Sequence, residues 1–106
     1  MIEITPVVVN ENRFLGLVIH LPKCTMRLLF NMKLIVLDSC FDLIEIERKC
    51  PVPLIQCSSS YFEKMLNENI IQYSERAYSL GIRNEMKVKE AIECVFSQKE
   101  TSEELF

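Results

Sequence analysis

Glycine is nearly missing from this chain: two residues in 106, about 2% where roughly 7% is usual. Neither the Walker-type phosphate loop nor the dinucleotide-binding glycine pattern can be built from two glycines, so a nucleotide-binding fingerprint is excluded. Histidine occurs once, as His20. Basic charge is also short, with 12 Lys and Arg against 15 Asp and Glu and a net charge of −3. That sign is wrong for a protein that neutralises a phosphate backbone. Lys23, Arg27, Lys33, Arg48 and Lys49 are mostly separated by apolar residues, with no accompanying stripe of base-stacking aromatics. They read as solvated strand ends, and no nucleic-acid partner is expected. No apolar run approaches the roughly 18 residues of a membrane span, and the opening MIEITPVVVN has no basic stretch and meets a charge at Glu3. A cytoplasmic protein without a membrane partner is expected.

What is present is apolar: 49% of residues are hydrophobic and 25% are charged, a globular composition on the greasy side. The length suits one domain. The five cysteines are Cys24, Cys40, Cys50, Cys57 and Cys94. An odd number without an export signal argues against a disulfide framework, and irregular spacing with no C-x-x-C pair fits no zinc template. They read as reduced, mostly buried small apolar side chains. No metal or cofactor is expected.

Along the chain, residues 2–9 and 14–21 are strand-like and flank the polar break Asn10-Glu11-Asn12-Arg13, which predicts a hairpin. Residues 25–30 and 34–37 form a second pair, and Leu34-Ile35-Val36-Leu37 is a continuous apolar run suited to a central strand covered on both faces. Phe41 to Lys49 suits a short helix capped by Asp38 or Ser39 with Phe41, Ile44 and the Arg48 stem on one face, although Ile44-Glu45-Ile46-Glu47 also alternates as a half-buried strand would. Pro51 and Pro53 admit a strand from Leu54 to Cys57. Ser60-Tyr61-Phe62-Glu63 has capping-box form and predicts a helix from Tyr61 to about Leu66 with Phe62, Met65 and Leu66 inward. A brief strand at Ile70 to Tyr73 precedes a helical turn capped by Ser74 and ended by Gly81. Val88, Ala91, Ile92 and Val95 mark the buried face of a last helix, Val88 to Phe96. These elements compose one domain over residues 1–97, followed by an acidic tail, 98–106, expected to fray up to its terminal Leu105-Phe106. Strands first and short helices later define an α+β fold with a mixed or mainly antiparallel sheet flanked by short helices.

Few residues suggest chemistry. Asp38 and Asp42 lie four apart at a strand-to-helix turn, where convergence would suit a metal or general-acid role, and capping would suit them equally. Cys57-Ser58-Ser59-Ser60 precedes a helix, so its amides are placed to bind an anion or to lower a thiol pKa; no histidine or nucleophile elbow accompanies it. His20 has no placed partner and reads as a surface residue. Met26, Met65 and Met86 read as core filler.

Leu80-Gly81-Ile82, Glu85-Met86 and Lys89-Glu90-Ala91 resemble, in order and spacing, the YunC-like family, small prokaryotic domains of unknown function. Gly16-Leu17-Val18-Ile19-His20-Leu21-Pro22-Lys23 is similar to the family strand that ends in leucine-proline-lysine. Phe41-Asp42, Ser58 through Leu66 and Ser74 with Ala77 extend the resemblance to roughly residues 2–97. It implies an α+β architecture and no established activity. Ser39, Ser58 and Glu85 stand where the family pattern has glycine, which implies an altered surface at those loops. Tyr61 likewise replaces the threonine that opens the family's second helix.

The leading reading is therefore a homo-oligomeric binding or structural module, because so apolar a small domain leaves hydrophobic surface outside. The alternative is a small enzyme or metal-dependent protein with a site at strand ends near Asp38, Asp42 and Cys57, and weak ligand contacts from Ser58, Ser59 and Ser60.

Overall fold

Val9 and Asn12 face each other across Asn10-Glu11, whose φ angles of 49° and 70° are both left-handed. Two such residues make the tight turn whose twist matches a right-handed hairpin. The structure, a computed structural model, describes residues 1–58 and 61–104, with side chains taken up to residue 97. The hairpin joins β1 (Ile2–Val9) to β2 (Asn12–His20), so the polar break predicted over four residues is a two-residue loop. β3 (Thr25–Asn31) and β4 (Leu34–Leu37) follow in antiparallel register. All four residues of β4 are buried, as its unbroken apolar run predicts.

α1 (Leu43–Glu47) carries the chain over to β5 (Leu54–Gln56), which pairs parallel to β4. The short β6 (Gln72–Tyr73) closes a six-stranded mixed sheet in sequential order, antiparallel everywhere except at β4–β5. α2 (Phe62–Met65) precedes β6, and α3 (Glu75–Ser79) and α4 (Val88–Glu104) follow it. This is an α+β fold with a mixed sheet.

The helices divide between the two sheet faces. Phe14, Leu29, Leu34, Val36 and Ile55 line one face and pack against Met65, Ala77, Ile82, Val88, Ala91, Ile92 and Val95 from the α2–α4 side. Gly16 belongs to this face, and a Cβ there would meet the Phe62 ring at 2.9 Å and Val7 at 3.1 Å. On the opposite face α1 covers only Ile35, Leu37 and Leu54, with Leu28 and Phe30 at the margin.

Local capping holds at α3 and differs at α1. Ser74 Oγ accepts from the amides of Ala77 and Leu54, and Gly81 ends α3 with a φ of 99°. α1 is capped by Asp42, not Asp38 or Ser39, and it buries Leu43 while Ile44 faces solvent. In a five-residue helix with apolar residues at 43, 44 and 46, periodicity does not fix the phase; docking onto β5 does. α2 opens at Tyr61 with no side-chain cap bond, within a residue of the predicted start, and Ser60 of the capping-box form is not among the described residues. Ser59 and Ser60, like the terminal Leu105-Phe106, lie outside the described residues. α4 buries the predicted face and continues past Phe96 to Glu104.

Candidate functional site

Asp38 extends the β3–β4 ladder by one pair: its amide donates to Arg27 O at 3.1 Å, and its carboxylate accepts from Arg27 N at 2.7 Å. The other carboxylate oxygen accepts from Cys40 N at 2.9 Å and folds the chain back. With 2% of its surface exposed, Asp38 spends its charge on main-chain donors that a neutral side chain would satisfy less strongly. Gln56, also buried, clamps the same turn, its amide nitrogen donating to Asp38 O at 2.9 Å and Phe41 O at 2.7 Å. Sequence reading missed Gln56, because those partners lie 15 and 18 residues away in the chain.

Asp42 does not join Asp38. It caps α1, its carboxylate accepting from Glu45 N at 3.2 Å. Cys57 follows β5 with its amide on Leu37 O at 3.0 Å, and its side chain is fully buried in the main core. Ser58 is exposed. Among the described residues no three His, Cys, Asp or Glu side chains are grouped to hold a metal ion. His20 pairs its ring Nε2 with the Glu3 carboxylate on the neighbouring strand. Arg27 lies over the Tyr61 ring at 5.0 Å and Lys64 over the same ring at 5.6 Å, so Arg27 is not a bare strand end.

The cysteines are distributed differently from expectation. Only Cys57 is buried; Cys50 and Cys94 are half-buried, and Cys24 and Cys40 are exposed. The last two sit on connections beside β3 and β4, where no core is near enough to cover them. Partial desolvation, then the charge of Asp38 and the proximity of Cys24, push the Cys40 thiol upward from its ordinary pKa.

The largest uncommitted feature is apolar. In β1 the even positions Ile2, Ile4, Pro6 and Val8 share one face, and the ladder aligns them with Ile19, Leu17, Leu15 and Arg13 of β2. β3 continues the rows with Met26, Leu28 and Phe30. α1 reaches only the last of these strands, so Ile2, Ile4, Val8 and Leu15 stand 62%, 63%, 65% and 45% exposed. A groove of about 540 Å³ lined by Pro6, Val8, Leu15, Phe30 and Met32 runs along the hairpin end of the face. A second groove, of about 630 Å³, separates β1 from Tyr61, Phe62 and Leu66. Neither is lined by Asp38, Asp42 or Cys57.

These features define a small α+β domain whose sheet is packed by α2–α4 on one face and half bare on the other. No family model and no curated protein matches the chain. Among solved structures it is similar to a protein of unknown function, TA1206, from Thermoplasma acidophilum, with a TM-score of 0.77 and 14% identity over 90% of this chain and 93% of that one. At that identity the likeness is one of fold. Among the described residues no helix is long and apolar enough to cross a membrane.

Proposed function

We propose that this protein is a self-associating module of the cytoplasm, a divergent YunC-like domain, in which the bare face of β1–β3 seats the same face of a second copy. The single observation that carries the reading is the continuity of that face: Ile2, Ile4, Pro6, Leu15, Leu17, Ile19, Met26, Leu28 and Phe30 lie in adjacent ladder positions with no charge among them. Ile2, Ile4 and Leu15 of this face stand 62%, 63% and 45% exposed, and a contiguous exposed apolar patch is the mark of an interaction surface. An apolar face whose one charge, Arg13, stands at its hairpin end is complementary to itself, which suits a two-fold contact.

The sheet edge supports a face-to-face mode. Met1 and His20 exchange main-chain bonds, N–H of His20 to Met1 O at 2.9 Å and the reverse at 3.5 Å. Alternation then turns the amides of positions 2, 4, 6 and 8 toward the open edge. Position 6 is proline and donates nothing, so strand addition along β1 is interrupted at its middle. The YunC-like affinity rests on the order and spacing of the motifs from Gly16 to Ala91.

Sedimentation velocity over a range of concentrations tests the reading. The wild-type chain is expected to sediment as a dimer, and Ile4→Lys, at a position already exposed, as a folded monomer. A wild-type chain that stays monomeric at the highest attainable concentration overturns it.

A further inference from the structure

We propose that Cys24 and Cys40 form a redox-active dithiol, which low-molecular-weight disulfides oxidise to an intramolecular disulfide that clips the β2–β3 connection to the turn between β4 and α1. The β3–β4 register pairs Leu28 with Leu37, and the Asp38–Arg27 bonds carry it one step further. The Asp38 carboxylate then holds Cys40 N, turning the chain back along the start of β3. There the Cys40 thiol donates to Thr25 O at 3.7 Å, the carbonyl of the residue next to Cys24. Cys24 is itself fixed, because its carbonyl accepts from Leu21 N at 2.9 Å. The turn at Asp38 therefore sets the Cys40 sulfur against the main chain one residue from Cys24, close enough for Cys24 to act on the Cys40 thiol. A disulfide spans a Cα separation of about 4.4–6.8 Å, and both cysteines lie on connections outside the strands, where the backbone is free of the ladder and can adjust to that span.

The remaining thiols are placed elsewhere. Cys57 is buried in the core, Cys50 follows α1, and Cys94 on α4 donates to Leu80 O at 3.2 Å. Cys24 and Cys40 are both exposed, so a small disulfide in solution reaches them. The order of events follows from their surroundings. Cys40, kept protonated by partial burial and by the neighbouring Asp38, is a slow first nucleophile, since the thiolate is the attacking species. Cys24 as thiolate attacks the disulfide RSSR, giving Cys24–S–SR and releasing RS⁻, which takes a proton. Cys40 then loses its proton to solvent and attacks the Cys24 sulfur, releasing a second thiolate. In sum, two protein thiols and RSSR become one protein disulfide and two RSH.

Oxidised glutathione with intact-mass spectrometry and peptide mapping tests the proposal on the full chain. The wild type is expected to lose two hydrogens, to retain no glutathionyl group and to yield a reducible Cys24–Cys40 peptide pair. Cys40→Ser is expected to stop with one glutathionyl group on Cys24, and Cys24→Ser to react at Cys40 more slowly than Cys40→Ser reacts at Cys24. Stable mixed disulfides on the wild type with no internal link overturn it, as does a link through Cys50, Cys57 or Cys94. Because the wild-type map alone decides between these outcomes, the test survives a serine variant that fails to fold.

Discussion

Asp38 ties three segments together through main-chain donors: the start of β3 through Arg27 N, the turn through Cys40 N, and the end of β4 through its own backbone. Removing the carboxylate leaves one amide of β3 and one of the turn without their charged acceptor, a loss of about 2–4 kcal/mol given the worth of charge-assisted bonds. Asp38→Ala is therefore expected to lower the urea midpoint with an unchanged denaturant slope. The same carboxylate acts on Cys40. That thiol is raised by desolvation first and by Asp38 next, so as pH rises the unfolded chain gives up its proton before the folded one does. The contribution of Cys40 to stability is present below the ordinary thiol pKa and is lost as pH rises through the raised one. In a Cys24→Ser background, the pH midpoint for alkylation of Cys40 by iodoacetamide is expected above the ordinary thiol value. Asp38→Asn should move it back downward without restoring it fully, because the desolvation persists.

The elements show where local chemistry decides the fold and where docking does. The β1–β2 hairpin, the buried β4, the Ser74 cap, the Gly81 terminus and the buried face of α4 were all legible, because each rests on neighbours within one turn or one strand. The bounds of α2 were legible to within a residue; the phase of α1 was not, since a helix of five residues takes its orientation from the sheet beneath it. The Gln56 clamp and the separation of Asp38 from Asp42 depend on contacts between segments. Among the three positions where the YunC-like pattern has glycine, backbone conformation separates one from the others: Glu85 has a φ of 80°, while Ser39 and Ser58 do not have a positive φ. A side chain in the left-handed region costs about 1 kcal/mol, offset in part by the extra freedom glycine has when unfolded. Glu85→Gly is thus expected to stabilise the fold by about 0.5–1 kcal/mol, and Ser39→Gly to destabilise it by about as much. Chemical denaturation of the two variants side by side checks the sign, and a stabilising Ser39→Gly would contradict the account.

At the scale of the molecule, the amount of apolar surface was legible in the composition, and its location was not. The location depends on the short reach of α1, whose five residues extend about 7 Å along the helix axis and cover β4 and β5 but not β1 and β2. If a second copy covers the remainder, association and folding are one equilibrium, because the paired face stabilises the native chain and not the unfolded one. For a dimer of chains this long that melts directly to two unfolded chains, the unfolding entropy per dimer makes a tenfold rise in concentration worth roughly 3 °C in Tm. The wild-type Tm is expected to climb by that amount per decade of concentration. It should depend only weakly on salt, because Arg13 at the hairpin end is the one charge in the facing rows of β1–β3. Ile4→Lys should melt at a Tm independent of concentration and below that of the wild type. A wild-type Tm flat across two decades would show that the bare face is not buried by self-association, whatever the sedimentation of the native protein at a single concentration.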